Sequence, residues 1–214
     1  MLKRQYCVEK IVDNVIYNYF ISIYNNNLKY FREEPEIVLS HFYKYQAMVK
    51  NWTYRHNLVS PGDVDNLWKK HFIPSLKPLE SGLIDESAVC VDAGSGAGFP
   101  GLPIKIFRPD ITMHLCDSNR KRALFLQQVV SELKLKNIEI LNCRLEKVDK
   151  NYDILFSRAM GKPKETYREF MGHVNDGGKA LIWTAKSVSE NFPGCSVESF
   201  DIENSGKLLC LRRI

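Results

Sequence analysis

The stretch Val91-Asp92-Ala93-Gly94-Ser95-Gly96-Ala97-Gly98-Phe99-Pro100-Gly101 decides how the rest of the chain is read. It begins at the end of a short apolar run of strand type, Ala88-Val89-Cys90-Val91. It leads into Leu102 to Phe107, which has the composition of a helix and stops before Pro109. Glycine lets the backbone turn sharply and approach a ligand with no Cβ in the way. Strand, glycine turn and helix in that order form the corner of an open α/β sheet, and such sheets bind ligands beyond the carboxyl ends of their strands.

Downstream of the glycines the pattern repeats. Ile111 to Cys116 is a second strand, followed by a helix over Arg120 to Leu135. Ile138 to Cys143 and Asp153 to Phe156 are the third and fourth strands. A helix is expected around 163–173, then Gly177-Gly178 precede a fifth strand, Ala180 to Thr184. Alternation at this spacing predicts a mostly parallel sheet with helices on both faces. Ser196 to Ile202 and Lys207 to Arg212 have only a short turn between them and predict a terminal antiparallel hairpin.

Upstream, residues 5–24 place apolar side chains at mostly helical spacing, with a break at Asn25-Asn26-Asn27. Pro35 fits the first turn of a second helix, whose stripe is Ile37, Val38, Phe42, Tyr45, Met48, Val49 and Trp52. A third helical stretch, roughly 63–73, is expected to end or kink at Pro74. The expected organisation is therefore a helical extension over 1–85, packed on an α/β domain over 86–214.

Composition narrows the class. With 44% hydrophobic and 26% charged residues, the 214-residue chain is ordinary globular material and not a disordered tract. Its six cysteines include no C-x-x-C pair, which argues against a zinc site or a disulfide framework. Met1 to Lys10 contains no uninterrupted apolar run, and no stretch approaches the roughly 20 apolar residues of a membrane span. A reduced, cytoplasmic, monomeric protein without metal or membrane contact is expected. The net charge is +5, and residues 105–147 hold nine basic and five acidic side chains. That local excess suits a polyanionic partner, or equally a solvated face of ordinary helices.

The loop fits two chemistries. Gly96-x-Gly98-x-x-Gly101 matches the dinucleotide fingerprint, and Asp92-x-Gly94-x-Gly96-x-Gly98 matches the S-adenosylmethionine pattern. Asp92, at the strand tip, would repel a pyrophosphate and attract the ammonium of a methionine. Asp117, closing the second strand, can accept both ribose hydroxyls of either cofactor; it also reads as the cap of the helix that starts at Arg120. The candidate cofactor residues on this reading are Asp92, Gly94, Gly96, Gly98, Asp117 and Ser118.

With these residues in view, the chain resembles the bacterial small-subunit (16S) ribosomal RNA guanine-N7 methyltransferases, the glucose-inhibited-division B family. Asp92 to Pro103, with its Phe-Pro-Gly-x-Pro ending, is similar to that family's signature. Leu115-Cys116-Asp117-Ser118, Lys121-Arg122, Phe125-Leu126 and Glu132 to Ile138 resemble its post-strand motif. Arg144-Leu145-Glu146 resembles its Arg-x-Glu turn and Ser157-Arg158-Ala159 its Ser-Arg-Ala. Trp52, Asn57-Leu58, His71 and Ser75-Leu76 resemble the lead-in, so the likeness covers about residues 45 to 186. The chain departs from the family at Pro74, where an Asp is usual, at Val59, where a Thr is usual, and in the longer spacing from Gly178 to Lys186.

The resemblance implies a Rossmann-like adenosylmethionine-dependent methyltransferase sheet with an N-terminal helical extension. It implies transfer of a methyl group to guanine N7 of 16S ribosomal RNA, as naked RNA or in the small subunit. Carried over by position, it implies cofactor contacts at Gly94, Phe99, Leu145, Glu146 and Arg158, with Arg158 also at the site of chemistry. The residues themselves are consistent. Ser157-Arg158-Ala159-Met160 lacks the Asn/Asp-Pro-Pro-aromatic loop of exocyclic-amine methylation. No cysteine nucleophile follows the fourth strand closely. Guanine N7 carries a free in-plane lone pair and needs no general base, so none is named; His71 and His114 are expected to be structural. RNA contacts are expected from Arg120, Lys121, Arg122, Lys162, Lys164 and Lys186, with Lys105, Arg108, Lys134 and Lys136 as further basic candidates. Trp52, Tyr54, Arg55 and His56 would cap the site or grip RNA, or belong to the core. The competing readings are a methyltransferase of another substrate and a nucleotide-binding module without catalysis.

Overall fold

In a computed structural model of the chain, the described residues are 14–30, 34–158, 167, 170–185, 191–203 and 205–214. Seven strands form one sheet in the order β3-β2-β1-β4-β5-β7-β6. β1 (Val89–Ala93), β2 (Thr112–Cys116), β3 (Ile138–Leu141), β4 (Tyr152–Arg158) and β5 (Val174–Thr184) pair in parallel. β6 (Cys195–Ile202) and β7 (Gly206–Arg213) are the expected antiparallel hairpin, with β7 also antiparallel to β5. β2 lies on one side of β1 and β4 on the other, so the strand order reverses at β1. The crevice beyond the carboxyl ends of β1 and β4 is the place where such sheets hold ligands.

Strand periodicity sorts the core into two layers. Cys90, Met113, Leu115, Ile154, Phe156, Leu181 and Leu208 face one cluster; Val91, Cys116, Leu155, Ala180, Ile182, Leu209 and Leu211 face the other. The first layer is covered by α1 (Asn14–Asn26), α2 (Pro35–His56) and α3 (Ile73–Glu80), together with α4 (Gly101–Phe107) and α5 (Arg120–Glu132). The second is covered by Leu145, Phe170 and Phe192. Most of the helix expected around 163–173 lies outside the described residues, as do the first nine residues of the run expected over 5–24.

Three expectations are corrected. The 63–73 stretch is not one helix: a 3-10 segment, Pro61–Asn66, runs into a wide π turn, Trp68–Phe72, and then into α3. Pro74 does not stop it; it sits in the first turn of α3, where a missing N–H costs little, and its carbonyl accepts the Trp183 indole N–H at 2.8 Å. Gly177 and Gly178 lie inside β5 rather than before it. Tyr152 pairs with Val174 while Ile154 pairs with Lys179, so β5 bulges, and the positive φ of Gly177 permits the detour.

Candidate active site

The glycine loop is pinned from below. The Gly94 and Ser95 amides both donate to the Cys116 carbonyl, at 2.8 and 3.0 Å, tying the loop to the end of β2. The Gly96 amide donates to Asp117 Oδ2 at 2.9 Å, and the Asn119 amide to Asp117 Oδ1 at 2.8 Å. Asn119, whose side chain accepts from the Lys121 and Arg122 amides, caps α5, so Asp117 is not the cap. A carboxylate has about four lone-pair sites, which leaves Asp117 capacity for a ligand.

A cavity of about 750 Å³ opens above this loop, within the range of small-molecule sites. Its lining brings together Gly94, Gly96, Phe99, Asp117, Ser118, Leu145, Glu146 and Arg158, together with Arg122. Two expected cofactor residues lie beneath the wall instead. Asp92 is fully buried, and its Oδ2 accepts the Gly101 amide at 2.9 Å. The direction in which Gly98 would carry a Cβ is filled by Leu102 and by the Tyr45 hydroxyl. Neither residue lines the cavity; both hold the loop in shape. Gly98→Ala should therefore cost about 1–3 kcal/mol of stability by overpacking, read from urea unfolding. A cost below a few tenths would show that Leu102 and Tyr45 give way freely.

The opposite wall comes from the N-terminal extension: the 57–61 turn, Asp63 and His71. The sequence reading missed 57–61 and Asp63 as cavity lining. The available signal was a polar turn, Ser60-Pro61-Gly62-Asp63, directly after Asn57-Leu58. His71 Nε2 lies 3.2 Å from Asp63 Oδ2, and its ring stacks on Phe99 with centroids 4.8 Å apart. Burial, reinforced by Arg158, pushes His71 down to about 4, so the ring is neutral at pH 7. Arg158, at the end of β4, donates to the carbonyls of Lys70 and His71, clamping the extension to the sheet. Burial lowers its pKa to about 10, which leaves it charged. Asp92 lacks a partner on Oδ1 among the described residues, and burial pushes it up to about 7. The tie between extension and loop is completed by the Tyr45 hydroxyl, which donates to the Ala97 carbonyl.

Two of the basic residues considered for RNA are interior. Lys105 is 1% exposed and donates to the Pro109 and Ile111 carbonyls. Arg108 is 1% exposed, bridging Asp110 and the Ile84 and Asp85 carbonyls. Part of the local charge excess is therefore structural. Arg120, Lys121, Arg122, Lys134 and Lys136 are exposed, while Lys162, Lys164 and Lys186 lie outside the described residues. His114 is buried against Tyr152, its Nδ1 3.0 Å from the hydroxyl, away from the cavity lining. Among the described residues no cluster of metal-binding side chains occurs, and no helix is long and apolar enough to cross a membrane.

The sheet order, the loop at the switch point and the carboxylate closing β2 define a methyltransferase-type Rossmann-like fold. Solved structures agree. A SAM-dependent methyltransferase from Aquifex aeolicus superposes with a TM-score of 0.55 at 16% identity, covering 74% of this chain and 96% of that one. TrmN from Thermus thermophilus gives 0.53 at 15% identity, covering 65% and 48%. Sequence comparison is more specific: residues 38–198 match the family described as GidB, rRNA small subunit methyltransferase G, and the chain belongs to that family. The "Ribosomal RNA small subunit methyltransferase G" of Clostridium botulinum (strain ATCC 19397 / Type A) is 38% identical over 152 residues, 68% of this chain and 64% of that protein's length. The protein of the same name from Thermoanaerobacter pseudethanolicus is 35% identical over 177 residues, covering 80% and 70%.

Proposed function

We propose that this protein transfers a methyl group from S-adenosylmethionine to N7 of a guanine in 16S ribosomal RNA. The observation that carries the proposal is the cavity at the β1/β4 switch point, where the glycine loop and Asp117 face a wall built by the extension. The cavity fits the cofactor. Gly94 and Gly96 have φ of 70° and 57°, which brings bare backbone to its edge. Asp117 is placed for ribose hydroxyls, Leu145 supplies an apolar surface for adenine, and Glu146 and Ser118 stand beside them. When bound, the cofactor supplies an electrophilic methyl on sulfur. The chain's own part is to position the acceptor and exclude water. Guanine N7 has no proton to lose, and His71, neutral and tied to Asp63, is not needed as a base.

Arg120, Lys121 and Arg122 stand at the start of α5, and Arg122 reaches the cavity rim, 3.6 Å from Asp117. Arg55 and His56 precede Asn57 on the other side of the same mouth. Phosphate contacts from such residues set affinity and its salt dependence.

Incubating the protein and labelled S-adenosylmethionine with small subunits from a strain lacking it should label a guanine of 16S RNA at N7. Label on protein alone, or none, would overturn the proposal. Asp117→Ala should weaken adenosylhomocysteine binding by about 1–3 kcal/mol, the worth of hydrogen bonds to a charged group, seen by calorimetry. An unchanged affinity, or selective binding of NAD by the wild type, would refute the reading of the loop.

A further inference from the structure

Among the described residues, three carboxylates line the cavity, and they are not equivalent. Asp117 and Glu146 follow β2 and β3 and sit on the cofactor side of the switch point. Asp63 belongs to the extension and stands on the other wall with His71, across from Arg158 at the end of β4. Its position is fixed: its amide donates to the Ser60 carbonyl at 2.9 Å, and its Oδ2 meets His71 Nε2 at 3.2 Å. His71 is itself held by its stack on Phe99, and its carbonyl accepts from Arg158. The Asp63 side chain is 30% exposed, and Oδ1 has no hydrogen-bond partner among the described residues. This is an anchored carboxylate with acceptor capacity left over, facing the place where a methyl acceptor must enter.

We infer that Asp63 is the specificity-determining residue for the base, accepting the N1–H and N2–H of the target guanine. This deepens, and rests on, the functional reading above. Guanine carries two adjacent donors on its pairing edge, and a carboxylate, which only accepts, complements them with charge-assisted bonds. N7 lies on the opposite edge of the purine. A base gripped at N1 and N2 by the extension therefore turns N7 toward the glycine loop. Adenine offers an acceptor at N1 and is repelled. The extension thus supplies the half of the site that chooses the base, while the sheet supplies the half that holds the cofactor. Asp63 reads the base, and His71 is a positioning residue that holds Asp63.

The test uses Asp63→Asn, which keeps the size and the acceptor for His71 but replaces one oxygen with a donor. Asp63→Ser serves as a second variant if the first melts early. The full chain is saturated with adenosylhomocysteine and titrated with GMP, IMP and AMP. Wild type should prefer GMP at least about tenfold over IMP, which lacks the N2 amine, and over AMP. The variants should show less than about threefold preference with unchanged adenosylhomocysteine affinity. On small subunits, kcat/KM should fall about a hundredfold. A variant that keeps the GMP preference, or that methylates subunits within about fivefold of wild type, overturns the role of Asp63. The two readings fail separately. Ribosomal RNA methylated normally by the variants removes only the Asp63 assignment. A wild type that selects GMP but labels no ribosomal RNA removes only the proposed substrate.

Discussion

Phe42→Ala should lower the stability of the whole chain by about 3–5 kcal/mol, in a single unfolding transition. Phe42 is fully buried on α2 and contacts rings from several elements of the extension: Phe20 of α1, Trp68 and Phe72 of the turn before α3. It also contacts Phe107, the last residue of α4, the helix that the glycine loop opens. Removing the ring takes away its transfer free energy and leaves a cavity among aromatic neighbours that cannot all collapse into it. The loss falls on both sides of the boundary expected near residue 85, because one continuous cluster joins the extension to a face of the sheet. Urea denaturation followed by far-ultraviolet circular dichroism and by tryptophan fluorescence should give coincident curves shifted to lower urea. Two separated transitions, with only the first shifted, would show that the extension is an independent unit. The coupling matters for function: the same helix carries Tyr45, whose hydroxyl holds the Ala97 carbonyl in the loop.

The fold was legible where local chemistry repeats. Cys90 and Val91, Leu115 and Cys116, and Ile154, Leu155 and Phe156 alternate between the two layers, and such period-two runs show in sequence. The glycine loop and Asp117 were legible because strand, turn and acid stand close together in the chain. What was not legible depends on partners far apart. Lys105 and Arg108 read as surface charge, because nothing local announces that the carbonyls of Ile111 and of Ile84 and Asp85 will meet them inside. Gly98 reads as a ligand glycine. Its reason is packing against Leu102 and Tyr45, just as Gly101 packs against Leu115 and Asp92. Asp63 in a Ser-Pro-Gly-Asp run reads as a turn former. Its place in the cavity depends on His71, which Arg158 reaches from 87 positions away.

Asp92→Asn should become more stable relative to wild type as the pH rises. Asp92 is fully buried at the tip of β1; Oδ2 accepts the Gly101 amide, and Oδ1 has no partner among the described residues. Burial is the largest influence and raises its pKa from 3.8 to about 7, against the lowering effects of the Gly101 hydrogen bond, the neighbouring Ser95 hydroxyl and the charge of Arg158. The folded state therefore holds this proton more tightly than the unfolded chain does. Its contribution is fully present below about pH 4, falls as the pH climbs toward 7, and levels off above. At about 1.4 kcal/mol per unit the whole window amounts to about 4 kcal/mol, about 3 of it above pH 5. Asparagine keeps an acceptor for Gly101 and cannot ionise, so the difference between variant and wild type measures that term. Urea unfolding of both proteins at pH 5 and pH 8 reads it directly, with Asp92→Asn gaining on wild type at the higher pH. Parallel stabilities at the two pH values would mean that Asp92 ionises as easily in the fold as in the open chain. A gain by wild type instead would mean that Arg158 stabilises the Asp92 carboxylate by more than burial costs it. The floor of the site would then be held by charge attraction between the strand tip and the guanidinium that clamps the extension.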